Sequence, residues 1–370
     1  MMKGQMVCLY LKNKGSAVRF CLWPRVIKSN SKFFLFSQTF LVVFITFFIN
    51  RGVSTKSISL GMLYQDLANN FPDLTNNPIP HRILLPFLSW LTRVPIQYLN
   101  LLFIVLFIFL LLKELNKNFS AITAVLFVLS ISTTMVVQFT LIYGGYPDIF
   151  IFLLILLTMI HKESNYIFFI LCIGLLLTRE AIIFIIPYLF LIRDKKNLND
   201  YIKLTTSLLL FFLIYLFLEP GGSENGGIGW KFFLEPFLFD LKFWATQNKD
   251  YFFLGFFSSI KFLWLLFIYQ IVELKKQRFS LLCLLFMISL QFIFVSGDTT
   301  RYWYLIVIGI IFSFNYLKTK KVLSILLFLI VIFNVITPKY YVFNDGNGVM
   351  YTTPNDSRLH FFDIYDLVDN

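Results

Sequence analysis

Apolar stretches recur from Phe33 to Thr337, separated by short polar segments that carry most of the charge. Runs of this length without internal charge are membrane-helix candidates. The pattern predicts rising and descending helices over Phe33–Asn50, Ile96–Leu112, Ser120–Phe139, Ile149–Ile160, Lys203–Leu218, Leu254–Ile271, Phe279–Val295, Tyr302–Leu317 and Val322–Ile336. Ile83–Leu91, cut off by Pro86, Arg93 and Pro95, reads as a short interfacial piece. The remaining run, Tyr166–Ile192, holds Thr178-Arg179-Glu180 at its middle. As one straight helix it is about 40 Å long at 1.5 Å per residue, and everything after it changes sides. The basic clusters Arg193–Lys196, Lys275–Arg278 and Lys318–Lys321 then face outward, against the positive-inside bias. Two short helices broken at Thr178-Arg179-Glu180 return every cluster to the inside. The pattern therefore predicts a hairpin whose arms, about 24 Å each, leave its apex recessed below the outer surface.

The resulting fold class is all-α, a polytopic transmembrane bundle of about 11 crossings with interfacial helices in its external loops. Residues 1–32 carry seven Lys and Arg and no acid, and form a basic cytoplasmic N-terminal arm. Residues 33–337 form the transmembrane domain, with external loops at 51–82 and 219–250, and residues 338–370 are a polar external tail. In this arrangement the inside segments hold 20 of the 32 Lys and Arg but only 5 of the 20 Asp and Glu. Such asymmetry suits a multi-pass protein of a bacterial inner or plasma membrane, with its N-terminus cytoplasmic and its C-terminus extracytoplasmic.

Composition agrees: 58% of the 370 residues are hydrophobic, more than a soluble core of this size needs. The net charge of +12 is sorted by side of the membrane, which points to anionic lipid and excludes nucleic acid as the partner. Cys8, Cys21, Cys172 and Cys283 are scattered without metal-ligand spacing. No cleaved signal peptide is expected, because the first apolar run starts late and no small-residue cleavage site follows it.

The candidate chemistry converges on the outer side: Asp66 with Asp73, His81-Arg82, Tyr146-Pro147-Asp148, Arg179-Glu180, the turn Asp298–Arg301, and Lys261. Carboxylates mixed with arginines suit transfer from a lipid-linked phosphate donor. A carboxylate takes the proton of an acceptor hydroxyl, and arginine forks hold the departing phosphate. Asp66 is the expected base, with Asp73 and Asp148 behind it; Arg82, Arg179 and Arg301 are the expected phosphate partners. Glu180 is placed to orient Arg179, and Asp298 to orient Arg301. Each has a plainer role open to it: Arg179-Glu180 as an ion pair closing a hairpin, Asp298-Arg301 as a turn cap, Asp66 as a solvated loop acid, Arg82 as a snorkelling interface residue, Asp148 as the acid of a helix start.

The sequence of a first helix, a long external loop bearing an acid, Arg82-Ile83-Leu84-Leu85-Pro86, Tyr146-Pro147-Asp148, Thr178-Arg179-Glu180 and Asp298-Thr299-Thr300-Arg301 resembles the GT-C superfamily of polytopic membrane glycosyltransferases. It is most similar to compact bacterial members, related to mannosyltransferases and to proteins of cell-surface glycopolymer formation. The resemblance implies a GT-C-like fold and an inverting transfer from a polyprenyl-phosphate-linked sugar to an extracytoplasmic glycan or lipid acceptor. It also implies that an acid of the first external loop, here Asp66 or Asp73, is the base. The paired acids of the better-known pattern are missing from that loop, which leaves dependence on a divalent cation, Mg or Mn, open. Two other functions fit the same residues: a transporter or flippase of a lipid-linked or anionic solute, built on the broken central helices, and a non-catalytic assembly subunit.

Overall fold

A computed structural model describes residues 8–13, 16–21, 32–50, 60–74, 82–194, 197–217, 249–294, 299–318, 321–337, 340–342 and 349–351. The apolar body is helical, and each end of the chain adds a two-stranded antiparallel hairpin. These are β1 (Cys8–Asn13) with β2 (Ser16–Cys21), and β3 (Tyr340–Val342) with β4 (Val349–Tyr351). Residues 218–248, nearly all of the second external loop and any interfacial helix in it, lie outside the described residues.

Helices α1 (Lys32–Asn50) and α4 (Ile96–Leu115) are long and apolar enough to cross a membrane. Between them lie two short helices, α2 (Leu60–Asn70) and α3 (Leu84–Thr92). Two further candidate spans are bent. Helices α5 (Ala121–Ser132) and α6 (Met135–Ile142) meet at 52°, and α11 (Lys249–Ile260) and α12 (Leu263–Glu273) at 85°. With the bent pairs counted as single spans, four helical units reach membrane-spanning length. The other helices are α7 (Asp148–Ile160), α8 (Asn165–Leu176), α9 (Ile186–Leu191), α10 (Leu198–Phe217), α13 (Arg278–Phe294), α14 (Thr299–Trp303), α15 (Val307–Phe314) and α16 (Lys321–Ile336).

Both bends have a shared cause. A broken helix leaves backbone groups without their usual partners, and in an apolar interior something must satisfy them. At the first bend, Thr133 donates its hydroxyl to the carbonyls of Leu129 and Ser130 (both 3.0 Å), and Thr134 donates to Ile131 (2.6 Å). These side chains compete with the next turn of helix. At the second bend Lys261 adopts the left-handed region (φ 49°), an uncommon conformation for a residue with a Cβ. The Phe262 N–H is caught by Asn334 Oδ1 at 2.9 Å.

Asn334, on α16, also reaches the first bend, donating from Nδ2 to Ser130 O (3.3 Å) and Thr133 Oγ1 (3.1 Å). One carboxamide thus ties both broken spans to the last helix. Lys261 completes the arrangement by donating to the carbonyls of Asn334 (3.0 Å) and Thr337 (3.3 Å). A cation at a helix C-terminus is favourably placed. The sequence pattern predicts Leu254–Ile271 as one straight helix with Lys261 on an outer polar set; instead Lys261 is fully buried at the bend.

The central run does fold back. Lys162, before α8, donates to Asp194 Oδ2 (2.7 Å) and to Ile192 O (3.3 Å), and the Asp194 N–H reaches Glu163 Oε1 (3.0 Å). A straight helix would hold Lys162 and Asp194 about 48 Å apart. Arg193 seals the same end, its guanidinium 4.8 Å from the Phe168 ring and 5.4 Å from the Phe169 ring, and buried against Asp200 at 3.6 Å.

Candidate functional site

The apex of that hairpin is irregular. Helix α8 stops at Leu176, the N–H groups of Thr178 and Arg179 both turn back to Leu175 O, and Arg179 is extended before a short 3-10 turn, Glu180–Phe184. The extended backbone turns two adjacent side chains in different directions. Arg179 enters one charged cluster and Glu180 another.

The first cluster is built on Asp148, the opening residue of α7 and fully buried. An acid is favoured there by the partial positive charge of the helix N-terminus. Arg301 of α14 grips it with a fork, Nε to Oδ1 at 3.0 Å and Nη2 to Oδ2 at 2.9 Å. Arg179 Nη1 approaches Oδ1 at 3.5 Å, and the Tyr304 hydroxyl donates to the same oxygen. Four donors meet the roughly four lone-pair sites of a carboxylate. Aromatic rings close the cluster: the Arg301 guanidinium lies 4.9 Å from the ring centres of both Phe139 and Tyr146, and that of Arg179 lies 5.5 Å from Tyr302. Such stacking favours guanidinium over ammonium.

The second cluster joins Arg82, just before α3, to Glu180. Arg82 Nε reaches Oε2 at 2.7 Å, Nη2 contacts Oε1, and Nη1 donates to the Tyr64 hydroxyl at 3.3 Å. The Leu84 N–H adds a backbone bond to Leu177 O at 3.2 Å. Helix α2, which carries Tyr64, is seated on the turn before Asp148. A Cβ built on Gly61 would lie 2.2 Å from Gly144 O, so no other residue allows this approach. The following Gly145 has φ 90°, a conformation open mainly to glycine. Gln65 Oε1 accepts from the Ile96 N–H (2.9 Å), and Asn100 Nδ2 donates to Tyr146 O (2.7 Å).

The structure therefore brings together Arg82, Tyr146, Asp148, Arg179, Glu180 and Arg301 from four separate stretches of chain. Arg179 and Arg301 share one carboxylate. Other assignments come out differently. Asp148, considered as a base, has its lone pairs engaged by Arg301, Arg179 and Tyr304, which makes it an anchor. Glu180, expected beside Arg179, holds Arg82, and the carboxylate held by Arg179 is Asp148. Arg82 and Arg301, expected at a phosphate, both direct their forks at protein carboxylates. Asp66 and Asp73 are exposed, Asp66 on the face of α2 away from buried Tyr64 and Leu67. His81 and Asp298 lie outside the described residues.

Arg179 differs from the other two arginines. Among the described residues its Nε and Nη2 make no hydrogen bond, and its one ion pair is long. Among the described residues, three arginines share the two carboxylates of these clusters. Tyr64, Tyr304 and Phe139 have no singled-out signal in the sequence. Only Tyr304, one helical turn beyond Arg301, has a spacing that places it on the same face.

No three His, Cys, Asp or Glu side chains among the described residues are grouped to hold a metal ion. The carboxylates of Asp148 and Glu180 are already matched by arginines, so the residues seen do not fit a divalent cation. No protein-family model, curated protein or solved structure matches the chain. The apolar helices, up to four units of them of spanning length, mark the chain as a helical membrane protein.

Proposed function

We propose that this chain is an integral membrane glycosyltransferase that binds the phosphate of a polyprenyl-linked sugar at Arg179 and passes the sugar to an extracytoplasmic glycan or lipid acceptor. The observation that carries the proposal is the state of Arg179: oriented by Asp148 and Tyr302, yet with two nitrogens that make no hydrogen bond among the described residues. Such a guanidinium is preorganised for an anion, because its position is already set before the ligand arrives.

In the reaction, the acceptor hydroxyl attacks the anomeric carbon and forms the new glycosidic bond. The bond from that carbon to the phosphate oxygen breaks, and the polyprenyl phosphate leaves with its electron pair against Arg179. Asp66, exposed and not tied to an arginine in any described contact, takes the hydroxyl proton. Anomeric configuration is inverted. In this reading the four span-length units, the six shorter apolar helices and α10 each cross the membrane once. The short arms of the hairpin keep its apex below the outer surface, where low dielectric strengthens a phosphate contact.

The test is transfer from radiolabelled polyprenyl-phosphate sugars by protein in proteoliposomes. Asp66→Asn is expected to abolish transfer while donor binding persists, and Arg179→Ala to lose both. Full transfer by either variant defeats the assignment of that residue. A transporter or flippase of a lipid-linked or anionic solute is a second reading, favoured by the two bent helix pairs, since discontinuous helices commonly line transport sites. Flux of the donor between leaflets without sugar transfer in the same vesicles selects it.

A further inference from the structure

Gln291 is fully buried near the end of α13, and neither its Nε2 nor its Oε1 has a hydrogen-bond partner. A buried amide with both ends unsatisfied is less favourable than an isosteric apolar residue at the same place. Its position in the bundle follows from helix geometry. Leu281, Leu284, Ile288 and Gln291 are all fully buried and recur at three and four residues, so they share one face of α13. That face packs on α15, since a Cβ at Gly309 would meet Leu284 Cδ2 at 2.7 Å and Leu281 Cδ2 at 3.0 Å.

From Leu284 to Gln291 is a rise of about 10 Å. The returning segment covers about the same rise from Gly309 back to Tyr302. Gln291 therefore stands near the level of Tyr302, the ring that carries Arg179, and α13 also packs against the 3-10 turn that begins with Glu180.

The geometry points to Gln291 as a ligand-contacting residue that reads the sugar hydroxyls of the donor while Arg179 holds its phosphate. This rests on the glycosyltransferase proposal and extends it to specificity. A carboxamide offers one acceptor oxygen and two donor hydrogens, which matches hydroxyl groups that both donate and accept. An anion alone can take only its donor hydrogens and leaves the acceptor oxygen unpaired. A site with a group left unpaired in the absence of a hydroxyl discriminates strongly against ligands that lack one.

The experiment compares binding of bare undecaprenyl phosphate with binding of undecaprenyl phosphate bearing a set of hexoses and pentoses, using the full chain in nanodiscs. Wild type is expected to bind both forms, with at least one sugar adding affinity. Gln291→Leu and the volume-matched Gln291→Met are expected to bind bare undecaprenyl phosphate as wild type does, and to lose about tenfold on the preferred sugar-bearing form. Their thermal stability should equal or exceed that of wild type, because an unsatisfied buried group has been removed. Undiminished sugar-dependent affinity in a folded variant overturns the role of Gln291 and leaves the phosphate site standing. Wild type that binds bare undecaprenyl phosphate with no gain from any sugar overturns it equally. Wild type that binds neither form defeats the proposed function itself.

Discussion

Asp148→Asn separates an anchoring carboxylate from a chemical one. In the native site the carboxylate is fully buried, takes the Arg301 fork at 3.0 and 2.9 Å, and accepts from Arg179 at 3.5 Å and from Tyr304. The amide keeps one acceptor oxygen but turns hydrogens toward an arginine that also only donates. The bidentate pair is lost and two guanidiniums remain buried with no compensating charge between them. Removing one partner of a buried ion pair costs about 3–5 kcal/mol, a large part of the roughly 5–15 kcal/mol that holds a typical domain together. Reversible unfolding in mixed micelles measures the loss. The double variant Asp148→Asn with Arg301→Gln should recover part of it, because the second change removes the stranded charge; the cycle isolates the coupling. Donor binding should fall together with stability, as Arg179 loses its orienting partner. A variant within about 1 kcal/mol of wild type that has lost transfer would refute the anchoring role and make Asp148 the base.

Three further experiments probe the frame around the site. Asn334→Leu removes the acceptor for the Phe262 N–H and the donor to Thr133; a loss of about 2–4 kcal/mol is expected in the same unfolding assay, and an unchanged midpoint would show that Asn334 does not hold the bends. Gly61→Ala forces a Cβ onto Gly144 O, so α2 should lift from the turn before Asp148 at about 1–3 kcal/mol, read as faster proteolysis between residues 51 and 82; protection equal to wild type would count against the close approach. For sidedness, cysteines at exposed Asn69 and exposed Lys117 serve better than one at buried Thr178. Asn69→Cys should react with an impermeant thiol reagent in intact cells and Lys117→Cys only after permeabilisation, and the reverse pattern inverts the topology.

Much of the fold was already legible in the residues. Apolar periodicity locates the helices, because an interior without water demands internally satisfied backbone over a defined length. The break at Thr178-Arg179-Glu180 and the fold-back of the central run follow from charge sidedness alone, and the contact of Lys162 with Asp194 agrees. That Arg179 and Arg301 belong to one site was likewise readable, since charges at helix ends in an apolar chain must gather to be satisfied. Who pairs with whom was not. Arg301 and Asp148 lie 153 residues apart, Arg82 and Glu180 98, and Lys261 and Asn334 73. Local pattern holds no record of such distances: the choice among several carboxylates for each arginine depends on which helix ends the bundle sets side by side. The bend at Lys261 was hidden for the same reason, as no proline or glycine marks it and its stabilising carboxamide comes from the last helix. Residue type and spacing therefore determined that a charged site exists, while tertiary packing decided that Asp148 is its anchor and Arg179 the arginine it holds least tightly.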